Sequence, residues 1–276
     1  MNKDRLILIT NPGSSSRKYA LYRGNDFLCS LHFEFEGKKV IYTLKKLDGS
    51  KEKRETKLKD LSFVVNNLEE ILAKEGYLEG ATKLDAILAR VAAPGSYFAT
   101  DHIVDEECLK QLDIAKERAP LHAPVIASEI EQLRKVFKET LIIAISDSAF
   151  HNDRSEVAKS YAIDTELAQK FDIQRWGYHG LSVGSIVRFM KKENILPEKM
   201  IVCHIGSGAS ITAVENGKSV DTTMGYSPLE GLMMATRAGS IDVAAALAIK
   251  RELGLQSDVP SCTRAVRSVT RKLSRR

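Results

Sequence analysis

Four side chains of the kind that stabilise a moving phosphoryl group stand beside predicted strands and helices. Arg90 and Asp147 each lie at the end of an apolar stretch, His179 precedes a helix, and Arg237 lies in a loop. Ligands of open α/β sheets bind at the carboxyl ends of strands. Phosphoryl transfer spreads negative charge over equatorial oxygens and requires positioning more than covalent chemistry. Two arginines, a carboxylate and a histidine therefore match a phosphoryl-transfer site.

Each of these four residues also has a structural interpretation. Arg90 could form an ion pair within the fold, and Asp147 could cap the turn that follows it. His179 could bond the backbone, and Arg237 could satisfy helix carbonyls. Spacing alone does not decide between these interpretations and catalysis. A fifth candidate, His151, is interpreted as structural or supporting.

Two Gly/Ser-rich turns predict where phosphate would be held. In residues 5–22 and again in 199–214, an apolar run enters a turn of small residues and a second apolar run leaves it. This pattern predicts two β-hairpins. Backbone N–H groups in glycine turns approach anions closely, although each turn also fits an ordinary hairpin. Neither is a Walker A loop, because no Gly-Lys-Ser/Thr follows the glycines. The repeat indicates two related lobes that face a shared cleft.

Composition excludes several classes of protein. A chain of 276 residues with 43% hydrophobic content can bury a large core, and we expect two domains. It has no apolar run of transmembrane length and no signal-peptide core, so we expect a cytoplasmic protein without a membrane partner. The cysteines are scattered without a CxxC pair and indicate reduced thiols rather than a zinc site: Cys29, Cys108, Cys203 and Cys262.

The positive charge of the chain is local. The net charge is +5, and six arginines and lysines lie in residues 264–276, so the rest carries 5 − 6 = −1. This balance shows no bias towards nucleic acid, and we expect no nucleic-acid partner. We interpret residues 254–276 as a basic tail, either a solvated end or sequence that is not native to the fold.

Hydrophobic periodicity predicts the elements that position these residues. Strands are expected at 6–10, 17–22, 28–34, 39–44, 86–91 and 141–145, with a charged connection over 45–59. Helices are expected at 62–75, 105–117, from Pro124 onward, near 182–192 and at about 241–252. Strands followed by strand–helix alternation predict an α/β fold with a mixed sheet. We expect an N-terminal lobe over 1–150 and a partial C-terminal lobe over 151–253.

Seven motifs, in order along residues 6–242, resemble the acetate kinases and their propionate and butyrate kinase relatives. The motifs are Asn11–Lys18, Ala119–His122, Asp147–His151, Gly177–Gly180, His204–Ser210, Met224–Gly231 and Thr236–Gly239. The resemblance implies the fold of the sugar kinase, heat-shock 70 and actin superfamily, with duplicated α/β lobes and mixed sheets. It implies reversible, ATP-dependent and Mg²⁺-requiring phosphorylation of acetate or a similar short carboxylate to the acyl phosphate, with ADP as the other product.

The resemblance also assigns a role to each matching residue. The catalytic group would be Asp147, His179 and Arg237. The acyl substrate would contact Arg90, Leu121, Tyr178 and Pro228. The nucleotide phosphates would contact Lys18 and the turn His204, Ile205, Gly206, Ser207 and Gly208, with Asn11 near Mg²⁺. The N-terminal lobe would then be the acyl side and the C-terminal lobe the nucleotide side. Ala92 stands where the family often has a larger aliphatic residue, so we expect a roomier acyl pocket that accepts propionate.

The main departure from the family is length, because its members continue well beyond residue 276. We expect a truncated member whose second lobe is incomplete and whose apolar faces are uncovered around Val202, Ile211 and Leu247. Two functions stay open: the kinase, and a catalytically inactive homologue that retains acyl-phosphate binding or acts as an assembly partner. We expect weak or no turnover and marginal solubility from this chain alone. A homodimer is compatible with the sequence.

Overall fold

The computed structural model describes residues 4–13, 15–78, 83–120, 122–252 and 254. Its strands are β1 Leu6–Pro12, β2 Ser16–Arg23, β3 Asp26–Glu36, β4 Lys39–Lys46, β5 Lys51–Glu55, β6 Ala86–Val91, β7 His102–Ile103, β8 Leu141–Ser146, β9 Lys199–Ile205, β10 Ala209–Glu215 and β11 Lys218–Thr222. Its helices are α1 Val64–Lys74, α2 Glu106–Arg118, α3 Ala123–Val136, α4 Glu156–Lys159, α5 Thr165–Lys170, α6 Gly180–Lys192 and α7 Val243–Glu252.

The chain divides into two compact units. Unit 1 contains the described residues of Met1–Val91, Asp101–Glu117 and His122–Ile145. Unit 2 contains those of Ala92–Thr100, Arg118–Leu121 and Ser146–Arg276. Two short segments that precede Ser146 in sequence thus belong to unit 2. A single division at residue 150 does not reproduce this arrangement.

Unit 1 is built on an eight-stranded mixed sheet in the order β5-β4-β3-β2-β1-β6-β8-β7. The first hairpin is confirmed, since β1 and β2 are antiparallel, and β1 also pairs in parallel with β6. Leu6, Leu8 and Thr10 of β1 are buried, while Ile9 points to the other face and is 36% exposed. Helix α3 packs against β1 and β6, and α1 packs against α3. These helices supply the apolar cover of one sheet face.

The charged connection predicted over residues 45–59 contains a strand, so that prediction is wrong. Lys46 N–H donates to Ser50 O at 3.0 Å across a tight turn in which Gly49 has φ +84°, and β5 follows. Strand β5 lies at the sheet edge, and its side chains are nearly all exposed. An edge strand with neither face buried carries no apolar alternation, which is why periodicity does not detect it.

Unit 2 contains the second predicted hairpin within a three-stranded antiparallel sheet in the order β11-β10-β9. Helix α6, which was expected near 182–192, packs on one face of this sheet. Val183 and Val187 of α6 form a buried cluster with Val202 and Val214, and Phe150, Leu196 and Met200 surround it. The cluster holds the start of α6 close to the hairpin.

The opposite face of this sheet is apolar and open among the described residues. Ile201 is 63% exposed and Ile205 is 72% exposed, and a groove of about 340 Å³ runs along the sheet beside Val220. Leu247 of α7 is 58% exposed, as expected. The expectation for Val202 is wrong, because this side chain points towards α6 and is buried.

Among the helices that the structure describes, none combines the length and the apolar character required to cross a bilayer.

Candidate active site

His179 lies at the junction of two structural elements in unit 2. It adopts a left-handed backbone conformation, φ +62°, directly before α6. Its N–H donates to Asp147 Oδ2 at 2.9 Å, and the N–H of Gly180 donates to the Asp147 carbonyl at 2.8 Å. Residue 180 must be glycine, because a Cβ would lie 2.5 Å from the Asp147 carbonyl oxygen. Asp147 therefore caps α6 and fixes the position of His179.

The carboxylate of Asp147 is itself held in place. It follows β8 and is 1% exposed. The next residue, Ser148, donates its hydroxyl to the Gly177 carbonyl at 2.6 Å. The end of β8 is thereby tied to the chain that leads into α6. Asp147 and His179 are adjacent in space although 179 − 147 = 32 residues separate them.

The His179 ring is held by the second hairpin. Its Nδ1 lies 2.9 Å from Ser210 Oγ on β10. The ring stacks on the imidazole of His204, with centroids 4.0 Å apart and an angle of 26° between the planes. His204 Nδ1 in turn lies 3.0 Å from the hydroxyl of Ser182, in the first turn of α6. Two histidines and two hydroxyls thus join α6 to the hairpin.

The glycine turn of this hairpin meets His179 and Arg237. A Cβ on Gly208 would lie 3.2 Å from His179 Nε2 and 3.5 Å from Arg237 Nη1. Arg237 also donates from Nη1 to the carbonyl of Pro228 at 3.0 Å. The structure therefore brings Asp147, His179, Arg237 and the 206–208 turn together in unit 2. A turn of small residues is flanked by an imidazole and a guanidinium, which suits an anionic group.

The structure describes three of the residues expected at the acyl pocket. Tyr178 is buried and donates its hydroxyl to the Tyr226 carbonyl at 2.7 Å, and burial raises its pKa well above the usual value. Pro228 is buried in the same loop, and Ala92 is buried within unit 2. Leu121 lies outside the described residues. The assignment of these residues to an acyl pocket stays a prediction.

Three predicted site residues form a second cluster, in unit 1. Asn11 of β1 lies directly opposite Lys18 of β2. Arg90 of β6 donates from Nη1 to Asn11 Oδ1 at 3.1 Å. Lys18 is exposed, and the other two are half-buried. The unit thus offers two cations beside one amide oxygen. That all four predicted residues face one cleft remains a prediction, because Arg90 belongs to unit 1 and the other three to unit 2.

A protein-held Mg²⁺ does not fit the residues around Asn11. Mg²⁺ prefers carboxylate oxygens, phosphates and water, whereas the Asn11 oxygen accepts from a guanidinium. No group of three or more His, Cys, Asp or Glu in the described chain could hold a metal ion. We derive no step of the chemistry through a metal at this position.

His151 is structural. The ring is fully buried, with Nε2 2.9 Å from the Tyr178 carbonyl and Nδ1 2.8 Å from Ser219 Oγ. A carbonyl can only accept, so Nε2 carries the hydrogen and Nδ1 accepts from the serine hydroxyl. Burial lowers the pKa of His151 to about 4. A neutral, doubly bonded imidazole supports the site from behind and takes no part in proton transfer near neutral pH.

Ser182 and Ser210 are site residues that the sequence interpretation missed. Both are small hydroxyl residues within regular elements, one on a helix and one on a strand. Their spacing carries no signal of its own, because serines are common at such positions. The available sign was the alternation of Ser210 and Thr212 on one face of β10, where an apolar alternation would be usual.

The family model described as the acetokinase family matches residues 6–267. The chain belongs to the acetokinase family. The match continues past residue 253 and therefore includes part of the basic tail. The resemblance that carried the sequence interpretation is confirmed.

Individual relatives agree with this family. The acetate kinase of Campylobacter lari is 35% identical over 254 residues, which cover 90% of this chain and 64% of that protein. The acetate kinase of Clostridium beijerinckii is 36% identical over 261 residues, covering 91% and 65%. The chain therefore spans slightly less than two thirds of the length of these acetokinase relatives.

A solved structure supports the fold. The propionate kinase of Francisella tularensis superposes with a TM-score of 0.80 at 33% identity, covering 92% of this chain and 66% of that one. The fold class expected from the resemblance, the α/β fold of actin-like kinases with mixed sheets, is confirmed.

Proposed function

We propose that this protein catalyses the reversible, ATP-dependent phosphorylation of a short-chain carboxylate, acetate or propionate, to its acyl phosphate. The observation that carries the proposal is the convergence of His179 and Arg237 on the glycine turn at Gly208, with Asp147 fixing His179. Relatives named acetate kinase and propionate kinase support the carboxylate as acceptor. No comparison supports the inactive alternative.

The reaction moves one phosphoryl group between two oxygens. A carboxylate oxygen of the substrate attacks the γ-phosphorus of ATP, the bond to the β–γ bridging oxygen breaks, and ADP leaves with that electron pair. Negative charge grows on the bridging and equatorial oxygens. Arg237 and the His179 imidazole offer N–H donors to that charge, and the 206–208 turn offers backbone N–H groups. The donors are fixed before the substrate arrives, which is where their catalytic value originates.

Two cationic side chains of unit 1 have proposed roles in substrate binding. We propose that Arg90 binds the substrate carboxylate and that Lys18 contacts nucleotide phosphate. The hydrogen bond to Asn11 holds Arg90 at the end of β6 without neutralising its charge. Arginine binds a planar carboxylate through two parallel N–H bonds, which aligns the attacking oxygen.

We propose that the protein accepts acyl substrates that differ by one methylene group. Tyr178, Pro228 and Leu121 would surround the alkyl end, and the small Ala92 would leave room for propionate. One methylene in an apolar pocket is worth about 1–3 kcal/mol, so acetate and propionate should differ modestly.

Three further features belong to the proposal. We propose that Mg²⁺ enters with the nucleotide phosphates rather than on a site held by Asn11, and this predicts loss of turnover with EDTA. We also propose a cytoplasmic location and a homodimer, both taken from the family rather than from contacts.

The test compares two aspartates. Purified chain is assayed for acyl hydroxamate formation from ATP with acetate, propionate or butyrate, and for ATP formation from acetyl phosphate. Because the chain spans 64% of the Campylobacter lari relative, a parallel fusion carries the remaining segment of that protein. Asp147→Asn should lower kcat at least about a hundredfold, because it removes the carboxylate charge beside His179 and the start of α6. Asp153→Asn, at an exposed position nearby, should leave kcat unchanged.

Two results contradict the proposal. One is the absence of carboxylate phosphorylation in both the chain and the fusion. The other is a turnover that Asp147→Asn and Asp153→Asn affect equally.

A further inference from the structure

Ser210 occupies a defined place beside the reacting groups. It lies directly opposite His204 in the β9–β10 register. Its side chain is completely buried, and its Oγ lies 2.9 Å from His179 Nδ1. The stacked His204 ring covers one face of His179. The serine thus bonds the edge of a ring whose face is packed by the neighbouring strand.

Ser210 contacts Nδ1, so Nε2 is the ring nitrogen on the side away from the serine. The direction of Nε2 is set by geometry, since this atom faces Gly208, where Arg237 Nη1 also lies. If the serine hydroxyl donates to Nδ1, the neutral ring carries its hydrogen on Nε2. A neutral imidazole can then donate to an anion without being protonated.

Two charged groups lie close to His179. Arg237 Nη1 lies at the same Gly208 turn as Nε2, and the Asp147 carboxylate accepts from the His179 backbone N–H. Protonation of the ring would take away the Nδ1 lone pair that accepts the serine hydroxyl.

We propose that Ser210 is a positioning residue for phosphoryl transfer, which donates its hydroxyl to His179 Nδ1 and so presents Nε2–H to the transferring phosphoryl group. The inference about catalysis rests on the proposed kinase function. The predicted tautomer of the His179 ring can be measured without turnover.

The experiment removes the hydroxyl and restores it. Ser210→Ala is expected to lower kcat by about 10–100-fold with KM for ATP changed less than about threefold. A misoriented donor affects the rate mainly in the transition state, where negative charge develops on the phosphoryl group. Ser210→Thr keeps a hydroxyl and should recover most of kcat. Thr212→Val removes a buried hydroxyl two residues along the same face of β10, where Thr212 bonds Thr222 at 3.0 Å. It should leave kcat within about twofold.

The tautomer is read by imidazole ¹⁵N NMR on the full chain, which has six histidines. The His179 signals are assigned by their loss in His179→Gln. The wild type should show hydrogen on Nε2 and a lone pair on Nδ1, and Ser210→Ala should show a mixture of both tautomers.

The outcomes separate the two proposals. Absence of turnover in the wild type and its fusion overturns the kinase function, and the NMR result then decides the Ser210 bond by itself. Hydrogen on Nδ1 in the wild type, or an unchanged kcat in Ser210→Ala of an active protein, overturns the Ser210 inference. Equal loss of kcat in Thr212→Val would show a general packing effect and overturn it as well.

Discussion

The two hairpins of this protein have the same local arrangement of strands and turn, but opposite faces of their first strands are buried. Strands β1 and β9 each have seven residues and each leads into a turn of small residues. In β1, the first, third, fifth and seventh residues are buried. In β9, the same four positions are exposed, and Val202, at the fourth position, is buried.

Helices explain this inversion. In unit 1, α3 covers the face that contains Leu8 and Thr10, and its Glu129 bonds Tyr19 on that face. In unit 2, α6 covers the other face, through Val202 and the His204–Ser182 bond. The corresponding face with Ile201 and Ile205 carries no cover among the described residues. A strand pair therefore folds locally in the same way whichever face is later packed.

The predicted site residues occupy matching places despite this inversion. Asn11 opposite Lys18 and His204 opposite Ser210 are both the second pair from the turn. The same strand position thus carries the polar cluster in each unit. The comparison separates what a hairpin fixes, the position of the cluster, from what tertiary packing fixes, the covered face.

The largest effect is expected at a buried ion pair that distinguishes the first hairpin. Arg17 Nε lies 3.2 Å from Glu129 Oε2, Arg17 also bonds the Gly13 carbonyl, and Tyr19 donates to Glu129 at 2.6 Å. Arg17→Met should destabilise unit 1 by about 3–5 kcal/mol, because it leaves a buried carboxylate unpaired. Adding Glu129→Gln removes that charge, keeps an acceptor for Tyr19, and should recover more than half of the loss in urea unfolding followed by circular dichroism. Additive losses in the double variant would show that the pair is not coupled.

The next effect compares the third residue of each strand. Leu8 is fully buried and Ile201 is 63% exposed. Leu8→Ala should cost about 2–5 kcal/mol, whereas Ile201→Ala should cost less than about 0.5 kcal/mol. Circular dichroism reports the whole chain, and the single tryptophan, Trp176, reports unit 2. An equally large cost for Ile201→Ala would mean that its face is covered in solution, and the contrast between the hairpins would fail.

A pH dependence is expected in unit 2, where His151 is buried beside β11. Burial lowers the pKa of His151 from 6.5 to about 4, so between these pH values the unfolded chain binds a proton at His151 and the folded chain does not. The contribution of His151 to the free energy of unfolding is complete above pH 6.5. About 3 kcal/mol is lost as the pH falls towards 4. Trp176 fluorescence in urea at pH 7.5, 6 and 5 should show this slope.

The control for this slope is a histidine in the other unit. His151→Gln should flatten the pH dependence, whereas His32→Gln, at a half-buried position on β3, should leave it intact. A slope that survives His151→Gln would assign it to another group.

The smallest change in folding free energy is expected on the open face. Ile205→Lys, at a residue that is 72% exposed, should alter stability by less than about 0.5 kcal/mol while lowering light scattering and dye binding. Phe35→Lys, at an exposed apolar residue of unit 1, should change neither. Unchanged scattering in Ile205→Lys would show that the open face does not cause self-association.

Much of the fold could be predicted from the sequence because the relevant signals are local. Alternating apolar residues gave both hairpins, and helical spacing gave α1, α3 and α6 within a few residues. Strand β5 was missed because an edge strand with both faces exposed has no apolar pattern. The face of β9 was mispredicted at Val202 because both faces of Met-Ile-Val-Cys-His-Ile are apolar, so the sequence does not tell which one is covered.

The site followed a similar division. Motifs identified Asp147, His179, Arg237 and the 206–208 turn, which lie close together within unit 2. Their roles stay a prediction. Ser210 and the pairing of Arg17 with Glu129 were not foreseen. Arg17 and Glu129 are 129 − 17 = 112 residues apart in the sequence, and their contact depends on how α3 packs on the sheet. Long-range polar contacts of this kind leave no periodic trace.

Because segments of the two units alternate along the chain, neither unit corresponds to one continuous gene fragment. Chain order alternates between the units, since Ala92–Thr100 and Arg118–Leu121 belong to unit 2 but precede the β8 strand of unit 1. A gene fragment that ends at residue 145 would carry two orphan pieces of the other unit. A fragment that starts at residue 146 would lack Ser96 and Arg118, both of which bond Asp172 at 2.9 Å. During synthesis these pieces leave the ribosome before their partners exist. Neither unit can therefore be exchanged between relatives as a single cassette.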